Sequence, residues 1–251
     1  MSEIELILLI YFIGIVTGFF DSIIGAGGLI SVPSLVILGV PPQIAIATDR
    51  FGSIGQALIA TIKFSMAKKV IWKYVPVLGI LALIGSFIGA NILININPKF
   101  LGSLIGILMI ALLPLIFLKK DLGIKRFKVS RLKLSIGSII YLAIMTFAGF
   151  YGQGTGPMVF YTLTFFLGLT MIESLGTGVV AWLILSISST IIFALNGLIN
   201  YQLGILLFTS MSIGSYIGSH VAIKKGDKWI KNLFVLLVCF IAIKLLFFNN
   251  L

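Results

Sequence analysis

Residues 129 positions apart along this chain keep matching one another, and that constant offset constrains the fold more than any single motif. Gly25-Ala26-Gly27 returns as Gly154-Thr155-Gly156, Leu38-Gly39 as Leu167-Gly168, Thr48 as Thr177, and Thr61-Ile62-x-Phe64 as Thr190-Ile191-x-Phe193. Gly85-Ser86-Phe87-Ile88-Gly89 returns as Gly214-Ser215-Tyr216-Ile217-Gly218. An offset held without slippage from residue 25 to residue 89 marks a duplicated unit.

The duplicated unit is built for lipid. Hydrophobic residues make up 59% of the chain and charged residues 10%, with a mean hydropathy of +1.20, which excludes an ordinary soluble domain. Apolar stretches cover 4–24, 28–40, 43–65, 74–94, 100–118, 134–152, 156–169, 172–195, 203–223 and 231–248. Most reach the ~20 residues that a spanning helix needs. The expected fold is an all-α polytopic membrane protein, a single transmembrane domain over 1–251. Its first repeat is 1–118, its connector 119–133 and its second repeat 134–251, with about five helical segments in each repeat. The opening Met-Ser-Glu-Ile-Glu lacks the basic region of a signal peptide, so the first segment is expected to remain as a helix. A lone cysteine, Cys239, rules out a disulfide within the chain and makes a thiolate metal site a poor reading.

A net charge of +11 raises a nucleic-acid reading, which the placement of the charges answers. Fifteen of the eighteen Lys and Arg residues fall in three clusters between apolar segments: Lys63, Lys68, Lys69 and Lys73; Lys119 to Lys133; and Lys224 to Lys231. That is the positive-inside pattern, so loops 66–73, 119–133 and 224–231 are expected in the cytoplasm of a multi-pass cell-membrane protein. No nucleic-acid partner is implied. Membrane lipid is the expected surroundings, with the connector near anionic headgroups.

Loops made equivalent by the offset carry opposite charge. Loop 66–73 is basic while 195–202 has no charge, and 95–99 holds only Lys99 while 224–228 holds three lysines. The two repeats are therefore expected to be inverted in the membrane, an architecture of secondary transporters that bind substrate where the halves meet. Segments 28–40 and 156–169 are too short to span, and each follows a glycine cluster, Gly25-Ala26-Gly27-Gly28 or Gly152-Gln153-Gly154-Thr155-Gly156-Pro157. A glycine-rich break inside the membrane followed by a half-helix is expected in each repeat. The freed N–H groups at such helix ends would suit an anion.

Candidate substrate contacts follow from these positions: Gly25, Gly27, Gly28, Gln153, Gly154, Thr155 and Gly156 at the breaks, Thr48 and Thr177 as a matched hydroxyl pair, and Arg50 as a fixed cation. Charge within a span is costly and marks function by default. Asp21, one turn before the first break, reads as either a cap of that break or a proton site. Asp49 reads as a partner of Arg50 or a proton carrier, and Glu173 as a proton site or simply a helix N-terminal charge. Gly85-x-x-x-Gly89 and Gly214-x-x-x-Gly218 read as close helix packing, Trp182 as core, and Lys63 as a side chain snorkelling to the interface. With no nucleotide-binding loop, no metal-ligand spacing and no nucleophile elbow, neither an enzyme nor ATP-driven transport is expected, and no cofactor or metal is called for.

Gly18-Phe19-Phe20-Asp21-Ser22-Ile23-Ile24-Gly25-Ala26-Gly27-Gly28-Leu29-Ile30-Ser31-Val32-Pro33, then Ala47-Thr48-Asp49-Arg50, then the two Gly-Ser-aromatic-Ile-Gly motifs, resemble the TauE/SafE sulfite exporter family. Gly149-Phe150-Tyr151-Gly152-Gln153-Gly154-Thr155-Gly156-Pro157 is similar to that family's second glycine-rich motif. The resemblance covers nearly the whole chain. It implies a secondary transporter of sulfite, sulfonates or related small anions, with protons as a potential coupling ion. An anion channel, or a non-transporting scaffold or intramembrane enzyme, stays open beside it, as does the oligomeric state.

Overall fold

A computed structural model of the chain describes residues 3–95, 123–152 and 154–247, with side chains up to residue 233. The expected segment 100–118, the connector up to residue 122 and Gln153 lie outside the described residues. The described residues form eight helices: α1 (Glu3–Ile24), α2 (Gly28–Ile37), α3 (Pro42–Met66), α4 (Val75–Asn95), α5 (Arg131–Phe150), α6 (Gly156–Leu167), α7 (Met171–Leu195) and α8 (Tyr201–Phe247). Five of them, α1, α4, α5, α7 and α8, are long and apolar enough to cross a membrane.

The helix boundaries follow local chemistry. Pro42 opens α3, where its missing N–H would have had no helical partner. Ser130 caps α5 by accepting from Lys133 N–H, and Thr170 with Glu173 form a reciprocal capping box at α7. The last two apolar segments, expected as separate helices, are two helices that meet within α8 at a kink, where Gly226 is non-helical with φ 74° and ψ −174°.

The 129-residue offset also relates backbone conformations. Gly25 and Gly154, Gly39 and Gly168, and Lys68 and Gly197 are each 129 residues apart, and all six have positive φ. Packing is reciprocal as well. The first helix of each repeat lies on the fourth helix of the other, α1 on α8 and α5 on α4, and the third helices follow suit, α3 on α8 and α7 on α4. Helices α3 and α7 then pack on each other at the centre.

The expected close packing of the glycine pairs is present at both interfaces. A Cβ on Gly85 would sit 2.6 Å from the Met145 carbonyl carbon of α5, and one on Gly89 would run into Thr146. Gly214 and Gly218 approach Ile15 and Phe19 of α1 in the same way. The outward faces match too: Ile84, Phe87 and Ile88 are exposed on α4, and Ile213, Tyr216 and Ile217 on α8. Exposed apolar faces of this extent require an apolar surrounding.

Helix α3 is the exception. It is long enough to span at twenty-five residues, yet it carries Thr48, Asp49, Arg50, Ser53 and Gln56, all buried. Lipid offers such groups no partners, so the other helices wrap α3 and supply them.

Candidate functional site

The two short helices set the site. At 1.5 Å per residue, α2 covers about 15 Å and α6 about 18 Å, well short of the ~30 Å hydrocarbon core. Each begins at a glycine break, and the breaks of the two repeats touch. Gly156 N–H donates to Gly25 O at 3.2 Å, and a Cβ on Gly25 would lie 2.6 Å from Gly156 Cα. Gly25 has φ +65°, a conformation open to glycine at little cost.

A cavity of about 30 Å³ lies beside this contact, lined by Asp21, Ser22 and Gly25 of the first repeat's break, Gln56 and Phe64 of α3, Gly156, Val159 and Phe160 of α6, and Leu175, Gly178, Val179 and Trp182 of α7. Asp21, half-buried, accepts Gly27 N–H on Oδ1 at 3.0 Å, while its carbonyl accepts Gly25 N–H at 2.8 Å. Of the two readings of Asp21, the capping contact is present in the geometry.

The adjacent charges on α3 diverge, as neighbours on a helix must. Asp49 accepts the Ser31 hydroxyl of α2. Arg50, 1% exposed, donates from Nη2 to Ala148 O in the last turn of α5 at 2.6 Å, and its guanidinium lies 4.9 Å from the Trp182 ring centroid. A cation at a helix C-terminus satisfies a carbonyl that has lost its helical partner. Gly152, in the second break, makes room for that guanidinium, since a Cβ there would overlap Arg50 Nη2. Through these two side chains, α3 holds the short helix of one repeat and the break of the other.

Other sequence candidates stand apart from the cavity. Thr48 Oγ1 accepts Asn200 N–H at 3.1 Å and Thr177 Oγ1 accepts Ile71 N–H at 3.0 Å, two equivalent bonds in which each repeat ties a loop of the other. Thr155 donates to Gly152 O at 2.7 Å within its own break, beside buried Gly154. Gly27 packs on Thr17 and Asp21 of α1, and Gly28 opens α2. Glu173 caps α7 and pairs with Arg126 at 2.5 Å, as its helix N-terminal reading has it. Lys63 lies over the Tyr216 ring at 3.7 Å.

Two residues of the cavity wall were missed as site candidates. Gln56 was legible only as a polar residue two turns after Asp49-Arg50. Trp182, expected in the core, packs against it and also borders Arg50 and the cavity. A tryptophan in mid-span, away from the interfacial belt, was the available signal.

The sequence profile described as Sulfite exporter TauE/SafE matches residues 10–245. The chain belongs to the TauE/SafE family. Among relatives, a "Probable membrane transporter protein" of Haemophilus influenzae is 24% identical over 244 residues, covering 97% of this chain and 96% of the relative. "Probable membrane transporter protein YfcA" of Escherichia coli K12 is 26% identical over 240 residues, covering 95% and 88%. "Probable membrane transporter protein YjnA" of Bacillus subtilis is 23% identical over 234 residues, covering 88% and 90%. No solved structure matches the chain. As a TauE/SafE member with five candidate spans, this is a multi-pass membrane protein whose relatives are named as transporters, a non-enzymatic role.

Within this family member, the threonine pair has a structural consequence. Thr48→Val and Thr177→Val each leave a loop N–H without its acceptor, at a cost of about 1–3 kcal/mol. The two variants are expected to lower the melting temperature in detergent by similar amounts and to leave substrate selectivity unchanged. A change of selectivity in either would instead place its hydroxyl on the substrate.

Proposed function

We propose that the chain is a secondary transporter that moves small organic or inorganic anions, sulfite, sulfonates or related sulfur-containing anions, across the cytoplasmic membrane by alternating access. The observation that carries this reading is the meeting of the two glycine breaks, one from each repeat, around a shared cavity. The N-terminal ends of α2 and α6 supply positive dipole ends there, and Arg50 adds a cation behind Trp182.

The repeats are inverted in this reading, which the opposite charge of their equivalent loops supports, and loops 66–73, 119–133 and 224–231 face the cytoplasm. Reciprocal packing of the two halves supplies two equivalent arrangements that exchange access between the sides. The cavity of about 30 Å³ is lined by residues of both halves. Asp21 in its wall and Asp49 on Ser31 are the carboxylates available for proton coupling.

Reconstituted protein is expected to show saturable flux of one or more of sulfite, thiosulfate, sulfate, taurine, sulfoacetate and acetate, with counterflow exchange of labelled substrate. Dependence on an imposed proton gradient would assign the coupling ion. Flux without saturation or counterflow would make it a channel, and no flux from folded, inserted protein would sink the anion reading.

A further inference from the structure

Packing and hydrogen bonds divide the described helices into two bundles, each drawing on both repeats. In one, α1 and α3 lie on α8, and α2 lies on α1 and α3. Its bonds run from Ser22 to Ser215, from Gln56 to Ser22, from Ser215 to Gln56 O and from Ser31 to Asp49. In the other, α4 and α6 each lie on α5 and α7, tied by Ser86 with Ser188 and by Thr164 with Ser174. The chain passes from one bundle to the other in loops 67–74 and 196–200. Thr177 accepts Ile71 N–H and Thr48 accepts Asn200 N–H, so each loop is fastened to the bundle it enters.

The bundles meet along α3 and α7, and the cavity lies in that seam, walled by Gln56 and Phe64 of α3 and by Leu175 and Val179 of α7. Bonds across the seam sit at three levels. At the breaks are Gly156 N–H to Gly25 O and Arg50 to Ala148 O. At one end Gln43 Nε2, in the first turn of α3, donates to Leu93 O in the last turn of α4 at 3.2 Å. At the other, Asp227 Oδ1, directly after the Gly226 kink of α8, accepts Ile172 N–H in the first turn of α7 at 2.7 Å. That N–H has no helical partner, and a carboxylate suits a helix N-terminus. The start of α3 lies by the end of α7, as the Thr48–Asn200 bond shows, so the two closures are at opposite ends of the seam. Gln43 and Ile172 are themselves 129 residues apart.

Packed bundles move as bodies, and a seam between them opens at one end while it closes at the other. We propose that access alternates by rocking of these two mixed bundles along α3 and α7, rather than of one repeat against the other, with Gln43–Leu93 as the outer gate bond and Asp227–Ile172 as the cytoplasmic one. The proposal rests on the transporter reading, with loops 66–73 and 224–231 inside, and adds to it the moving bodies and the two gates.

Cys239→Ser removes the one native cysteine, and Val179→Cys in that background places a reporter in the cavity wall. A membrane-impermeant maleimide is applied to right-side-out and to inside-out vesicles. Asp227→Ala is expected to raise labelling from the cytoplasmic side by about threefold or more and to lower it from the outer side, since one hydrogen bond shifts a two-state equilibrium by about that factor. Gln43→Leu is expected to do the reverse, and Asp227→Asn, which keeps an acceptor, to stay near the parent rate. The bodies are tested by Ser86→Cys with Ser188→Cys, whose hydroxyl oxygens lie 2.5 Å apart on α4 and α7. Closing that disulfide joins the two repeats inside a single bundle, so the Asp227→Ala shift is expected to survive it.

Shifts in the same direction for both variants, or no shift in either, would overturn the gates. Where Asp227→Ala fails to fold, Gln43→Leu decides by the side from which its labelling rises. Loss of the Asp227→Ala shift on oxidation, regained on reduction, would return the motion to the repeats. Opposite shifts without flux of any tested anion would keep the bundles and withdraw the anion reading alone.

Discussion

Arg50→Ala is expected to insert into the membrane, lose about 3–5 kcal/mol of stability and lose flux by at least about tenfold. The guanidinium is fully enclosed, and its bond to Ala148 O joins α3 to the end of α5, where the second break begins. Truncation leaves that carbonyl unpaired and opens a gap between Gly152 and Trp182. The break then loses the contact that sets its position against Gly25, and a few kcal/mol is enough to shift a two-state equilibrium by about a hundredfold. Arg50→Lys retains the charge without the planar fork that serves a carbonyl and a ring face together, so it is expected to fall between wild type and alanine. Thermal unfolding in detergent and flux in proteoliposomes of matched protein content check both effects. Unchanged flux in Arg50→Ala would remove Arg50 from the transport machinery.

Gly156→Ala is expected to be nearly as damaging, although it adds one methyl group. Its Cβ would overlap the backbone of Gly25, with the Gly25 carbonyl carbon at 2.5 Å, where no flexible side chain can yield. The two breaks must separate for the methyl to fit, and overpacking of this kind costs about 1–3 kcal/mol or more. The 3.2 Å bond between Gly156 N–H and Gly25 O lengthens at the same time. Flux is expected to fall by about tenfold or more, since 1.4 kcal/mol already corresponds to that factor. Gly197→Asn is the matched control: Gly197 has φ +66° and nothing within 4 Å, and asparagine tolerates that conformation. If Gly197→Asn lowers flux as much as Gly156→Ala does, contact between the breaks is not what matters.

Much of the helical framework was legible before any contact was known. Stretches 43–65, 74–94 and 172–195 correspond to Pro42–Met66, Val75–Asn95 and Met171–Leu195. The two short stretches became Gly28–Ile37 and Gly156–Leu167, each shortened at its C-terminal end. Stretches 203–223 and 231–248 correspond to the two helices that meet at the non-helical Gly226. Candidate residues were less legible. Thr48 and Thr177 were rightly paired, yet the pairing serves backbone N–H groups of opposite repeats. Glu173, read as either a proton site or a helix N-terminal charge, lies at a helix start with Arg126. Gln56 and Trp182 carried only weak signals of their own.

The amino-acid sequence by itself determined the membrane class, the 129-residue offset, the positions of the breaks and the family, because apolar run length, glycine clusters and a constant offset are local or periodic properties. Tertiary structure alone decided what the polar groups do. Arg50 finds Ala148 across 98 residues, Asn200 finds Thr48 across 152, and Gln56 donates its amide to Ser22 of α1 while its backbone carbonyl accepts Ser215 of α8. Lipid offers no hydrogen bonds to a polar group in a span, so each must find a partner elsewhere in the bundle, and that partner is set by how the two repeats fit together.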